Sequence, residues 1–214
     1  MKTFRLLLLA FLLLPLLPKA QTPQVNGLSN TSAQLHKKDS IVRGVSFEVF
    51  KQSVKAFLDS TKRPELDSSW TLWKAEKWAA LEHLFTIDSL NSGWPPNSGA
   101  LSLKIVSLDS GVLIDRYGGY YVVDSLHHDS VFHDRGKFVC FKGVPFPKRA
   151  LPQSTLKSPY RLYRIIKVIA NIKQGGIIPW FNEPGLGTQF EMPVNIDDLK
   201  QGGYIVEVSS KPPK

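Results

Sequence analysis

The chain holds one cysteine, Cys140, so it can form no intramolecular disulfide, and a thiolate metal cluster has too few ligands. Cys140 sits in the apolar alternating stretch "KFVCFKG", which reads as a buried structural thiol more readily than as a nucleophile. There is no glycine-rich phosphate loop of the nucleotidase or Rossmann type, no HExxH and no G-x-S-x-G, which removes the common nucleotide-fold, zinc-protease and serine-hydrolase readings. Lysine and arginine outnumber the acids, giving a net charge of +9, yet they form no run and no nucleic-acid-binding motif. That excess reads as a solvated surface with a few anion-binding arginines, set against a dedicated basic patch. Beyond the N-terminus no apolar run is long enough to cross a membrane.

The N-terminus itself reads "MKTFRLLLLAFLLLPLLPKAQ". Charged Lys2 and Arg5 precede an apolar run from Leu6 to Leu17, and Ala20 is a small residue before Gln21. This pattern predicts a secretory signal peptide over residues 1–20 and a soluble, secreted or periplasmic mature chain with no further membrane contact. Removing the three leader cations (Lys2, Arg5 and Lys19) from +9 leaves +6. Residues 21–40 are polar without period and read as a disordered linker.

Periodicity then divides the remainder. Over residues 41–90, Phe47, Phe50, Val54 and Phe57 recur near helical spacing. "DSSWTLWKAEKWAALEHLFTIDSL" predicts a second helix, capped by Asp67 or Ser68, with Trp70, Trp73, Trp78, Leu81 and Leu84 as its stripe. Such a stripe reads as core before sugar binding. From residue 91 to 208 strands dominate. "GVLIDRYGGYYVVDS" predicts strand, Gly118-Gly119 turn, strand; "GKFVCFKG" a short strand; "PYRLYRIIKVIANI" one long strand; and "GTQFEMPV" another. "NIDDLKQGG" predicts a short helix capped by Asn195, "GYIVEVS" a closing strand, and residues 209–214 a tail. The class is α+β.

Three polar residues stand in apolar or glycine-rich settings. Arg116 in "LIDRYGG" and Arg149 in "FPKRALP" are rigidly placed forks of donors suited to phosphate oxygens, or alternatively members of salt bridges, with Asp115 an obvious partner. Gln189 donates and accepts without charge, which suits a substrate whose leaving group is cationic, or equally a strand-end hydrogen bond. His127, His128 and His133 cluster with Asp124, Asp129 and Asp134, but the segment has loop composition and no recognised ligand spacing.

"SGWPPNSG", "IDRYG", "KRALP", "SPYRLYRIIK", "IIPWFNEPGLGTQFEMP" and "LKQGGYIVEV" occur here in the order found in the tuberculosis-necrotizing-toxin family. The resemblance covers about residues 90–208. It implies a domain with an ADP-ribosyltransferase-like split sheet and NAD or NADP in a cleft between two small sheets. NAD would be substrate, with no separate cofactor and no metal. The family's arginine in D-R-[YF]-G matches Arg116, its R-A-L-P arginine Arg149, and its G-T-Q-[YF] glutamine Gln189. Tyr117 and Phe138 match aromatics that can stack on nicotinamide or flank its ribose. Arg161, where family members often carry histidine, and Glu191 join the expected substrate-binding set. The resemblance implies a secreted NAD(P) glycohydrolase, a toxin or a scavenger, with an immunity protein as a possible partner. Two alternatives accompany it: a mono-ADP-ribosyltransferase using the Q-x-E pair Gln189 and Glu191, and an inactive NAD-binding module.

Overall fold

The computed structural model describes residues 41–123 and 129–212. The expected leader and linker, together with Asp124, His127 and His128 of the histidine cluster, lie outside the described residues. Strands β1 (Ile41–Val42) and β2 (Val45–Ser46) form a hairpin whose turn residues, Arg43 and Gly44, both have positive φ, the geometry of the twisted two-residue turn.

Ser46 then caps helix α1 (Phe47–Gln52), its hydroxyl accepting from the Val49 N–H. The expected long helix 67–90 is instead two helices, α2 (Arg63–Lys74) and α3 (Trp78–Ile87). Neither Asp67 nor Ser68 caps it. The start moves upstream because Pro64 pre-sets φ in the first turn and loses no hydrogen bond there. The break comes at Glu76, whose φ is +54° and whose carboxylate is held by Arg43. Arg43 also donates to the Trp73 and Lys74 carbonyls, placing a cation on the C-terminal end of α2.

Seven strands form one sheet. They are β3 (Ala100–Leu108), β4 (Leu113–Tyr117), β7 (Phe138–Phe141), β8 (Tyr160–Ile165), β9 (Ile169–Ile177), β10 (Thr188–Glu191) and β11 (Ile205–Ser209). Their order is β11-β8-β4-β7-β10-β9-β3, with every neighbouring pair antiparallel. The long strand expected over 159–172 is two strands that sit apart in the sheet, because the chain turns at Ile166–Val168. Strand β3 was not anticipated, its polar–apolar pattern being interrupted where Ser102 takes φ +52° at a register shift. β5 (Tyr120–Val123) does not pair back onto β4 across Gly118-Gly119. It pairs with β6 (Ser130–His133) as a separate ribbon.

Alternation along the strands gives the sheet two faces. On one, Phe190, Val139, Ile114, Tyr163 and Ile172 pack with Ile196 and Leu199 of helix α4 (Ile196–Gln201), which Asn195 caps as expected. On the other, Cys140, Ile177, Ile178 and Trp180 share a single core with Phe50, Phe57, Trp70, Trp73 and Phe85. Phe50 is its hub, with ring centroids 5.2 Å from Trp70 and 5.3 Å from Trp73, and Trp180 meets Phe85 edge-on at 5.6 Å. Aromatic pairs of this kind add about 1 kcal/mol each beyond buried area. The tryptophan stripe is therefore core, and it rests on the sheet face that carries Cys140.

Candidate active site

The register of three strands assembles the site. Asp115 of β4 lies opposite Cys140 of β7, and Cys140 lies opposite Gln189 of β10, so the three form a row on one face. Gly175 continues that row on β9, where a side chain would run into Ala100 and the Leu101 carbonyl. Above this face opens a cavity of about 480 Å³. Arg116, Tyr117, Phe138, Arg149 and Gln189 all line it, joined by Ser53, Asn91, Trp94 and Ser98 from the N-terminal half.

The "GLG" before Gln189 explains how β10 and the Arg149 loop are locked together. Gly187 donates to the Lys148 carbonyl at 3.0 Å and Gly185 to Pro147 at 3.1 Å. A Cβ at Gly187 would collide with that Lys148 carbonyl, and one at Gly185 with the Ile178 carbonyl. Gly185 also has φ +62°. Gln189 then donates Nε2–H to the Ser98 carbonyl at 2.8 Å, which fixes the amide and leaves Oε1 as the acceptor.

Arg149 is almost wholly buried. Its Nη2 lies 2.6 Å from Asp115 Oδ1, and its Nε and Nη2 donate to the Val144 carbonyl. The guanidinium also sits 5.4 Å from the Tyr117 ring centroid. Asp115 is fully buried and accepts a 2.9 Å hydrogen bond from the Tyr160 hydroxyl. Burial first, then this bond to a carboxylate, pushes the Tyr160 phenol well above its ordinary pKa. The ion pair anticipated for one arginine thus belongs to Arg149, which keeps its place in the cavity wall.

Arg116 emerges from the opposite side of β4 and pairs with buried Asp134, Nε to Oδ2 3.1 Å. It also donates to the Phe138 carbonyl at 3.2 Å. Its guanidinium lies in a slot between Gly118 and Gly136, either of which would strike it if it carried a Cβ. Burial raises the Asp134 pKa, with Arg116 acting against that shift. Phe138 is 42% exposed, an open aromatic face at the mouth. Tyr117 is less available, its ring meeting Phe146 and Tyr160 at 5.4 and 5.1 Å.

Two expected residues lie outside the cavity. Arg161 is buried beneath the β5–β6 ribbon, Nε 3.1 Å from Glu207, Nη2 donating to the Tyr121 hydroxyl at 2.7 Å, and the guanidinium 4.1 Å from the Phe132 ring. Glu191 follows Gln189 on the same face but pairs with Lys173 at 3.1 Å. Trp94 of "SGWPPNSG", 47% exposed, also stands in the cavity wall, and a large aromatic between glycine and proline is the sequence signal for it. Ser53 gave no sequence signal. Among the described residues no group of three metal-ligating side chains converges, and no helix is long and apolar enough to cross a membrane.

Residues 107–208 match the family described as "Tuberculosis necrotizing toxin". A curated relative, the "Conidial surface nicotinamide adenine dinucleotide glycohydrolase nadA" of Aspergillus fumigatus, is 31% identical over 106 residues, 46% of this chain and 39% of the relative. The chain therefore spans about two fifths of that relative's length. The solved structure of tuberculosis necrotizing toxin complexed with its immunity factor is 22% identical, with a TM-score of 0.41 over 54% of this chain and 61% of that one.

Proposed function

From the match of residues 107–208 to the tuberculosis necrotizing toxin family, we propose that the chain is an NAD(P) glycohydrolase, releasing nicotinamide and ADP-ribose. The relative named as a nicotinamide adenine dinucleotide glycohydrolase supports this reading. The observation that carries it is the convergence of Arg116, Tyr117, Phe138, Arg149 and Gln189 on one cavity from separate strands and loops.

The chemistry asks little of an acid. When the bond from ribose C1′ to the pyridinium nitrogen breaks, its electron pair returns to that nitrogen and nicotinamide leaves neutral. Water adds to C1′ and loses a proton to solvent. The protein must hold the dinucleotide, stabilise an oxocarbenium-like ribose and place the water. Gln189, with Nε2 engaged by Ser98, offers Oε1 to a ribose hydroxyl or to that water. Phe138 offers an aromatic face to nicotinamide. Arg116 and Arg149 present directed donors to the pyrophosphate. Each is already charge-compensated by a buried aspartate, so recognition rests on donor geometry more than on net charge. Glu191 lies outside the cavity and is tied to Lys173, which favours hydrolysis over transfer to a protein acceptor.

The leader-like N-terminus supports export of the mature chain. A secreted enzyme of this kind would act as a toxin, restrained by a cognate inhibitor, or as a scavenger of external NAD. The test is incubation of the purified mature chain with NAD and with NADP, following nicotinamide and ADP-ribose. Stoichiometric release is expected, and Gln189→Ala should lower kcat about a hundredfold with KM little changed. Absence of nicotinamide release would sink the proposal, while labelled protein acceptor would redirect it to transfer.

A further inference from the structure

We propose that Ser53, in the N-terminal region outside the matched family segment, is a positioning residue for Gln189, acting through the turn 96–99. The inference rests on the glycohydrolase reading. Gln189 owes its orientation to the Ser98 carbonyl, and that carbonyl is set by a backbone that does not hold itself. Asn97 and Ser98 both occupy the left-handed region, φ +50° and +53°, which is costly for residues other than glycine. Two bonds pin the turn. The Asn97 N–H donates to Ser53 Oγ at 2.8 Å, and Asn97 Nδ2 donates across the turn to the Ala100 carbonyl at 2.7 Å.

Ser53 is itself fixed. It ends helix α1, its hydroxyl donates to the Phe50 carbonyl at 2.7 Å, and Phe50 is the fully buried hub of the aromatic core. A continuous chain therefore runs from the Phe50 core through the Ser53 hydroxyl and the Asn97 peptide to the Ser98 carbonyl and Gln189 Nε2. Without Ser53 Oγ the Asn97 N–H loses its partner, the strained turn relaxes, and the amide is free to rotate its acceptor away from the ribose.

The experiment is a double-mutant cycle on nicotinamide release by the full mature chain. Ser53→Ala should lower kcat about tenfold while KM stays within about twofold, and Ser53→Thr, which keeps the hydroxyl, should restore kcat. In a Gln189→Ala background, Ser53→Ala should change kcat no further. Ser46→Ala removes the N-cap of the same helix without touching Asn97, and should lower the melting temperature but not kcat. Asn97→Ala, which removes the Nδ2 bond to the Ala100 carbonyl while keeping the left-handed cost, loosens the turn from its other end and should repeat the Ser53→Ala signature even if that variant folds poorly. Effects of Ser53→Ala and Gln189→Ala that add, or an equal kcat loss in Ser46→Ala, overturn the inference. A wild-type chain that releases no nicotinamide overturns the glycohydrolase reading and this inference with it.

Discussion

Cys140 shows how one position can sit inside a site and stay inert. It lies between Asp115 and Gln189 in the row of three strands and lines the cavity, yet it is only 6% exposed. Burial pushes its thiol up to about 11, with Arg149 opposing and Asp115 adding to the shift. The folded value exceeds the unfolded one. Its contribution to stability is therefore complete below about pH 9 and is lost as pH rises through 11. Alkylation by iodoacetamide at pH 8 should be about a hundredfold slower in the native protein than in urea, because so little thiolate is present. Equal labelling rates would show that the thiol is neither buried nor raised.

At the scale of elements, the ribbon β5–β6 is tied down by Arg161 beneath it and, at its His133 end, by Asp197 of α4. Arg161 projects from β8 beneath it, tied to Glu207 of β11 and to Tyr121 and Phe132 of the ribbon's two strands. The ribbon is otherwise a two-stranded piece with Tyr120, Tyr121, Val122 and Val123 exposed, and such hairpins are marginal alone. Arg161→Ala should destabilise the protein by about 1–3 kcal/mol, since it removes a buried guanidinium from beneath Tyr121 and Phe132 and leaves Glu207 with Lys200 at 4.0 Å. Hydrogen exchange in β5 and β6, residues 120–123 and 130–133, should accelerate, while kcat changes by less than about threefold because Arg161 lies outside the cavity. A kcat loss matching that of Gln189→Ala would return Arg161 to the binding set.

For the whole molecule, the two halves of the chain are one packing unit. Trp180, Ile177, Ile178 and Cys140 on the sheet face close against Phe50, Trp70, Trp73 and Phe85 from residues 41–90. A fragment of residues 91–214 would expose that face, and losing several buried aromatics at about 3–5 kcal/mol each exceeds what a domain of this size can spare. The fragment should show no cooperative thermal transition by circular dichroism. A sharp native-like melt would show that the sheet is sufficient without the helices.

Local chemistry made a good part of this legible beforehand. Asn195 before an acidic first turn specified α4, alternation specified β7 and β10, and the spaced aromatics of residues 47–84 specified a core-facing surface. Arg116, Arg149 and Gln189 stand out in the chain as polar residues in apolar or glycine-rich settings, with a salt bridge or strand-end bond equally open to them, whereas Tyr117 and Phe138 are named only through the family resemblance. What the chain alone left open was set by contacts distant in sequence. The salt bridge of Arg149 with Asp115, the removal of Arg161 and Glu191 from the cavity, and the tie from Ser53 to the Gln189 support all depend on strand register and on the packing of residues 41–90 over the sheet. A side chain's neighbours across a sheet are fixed by pairing that no short window contains, so its type could be read in one dimension but its partner only in three.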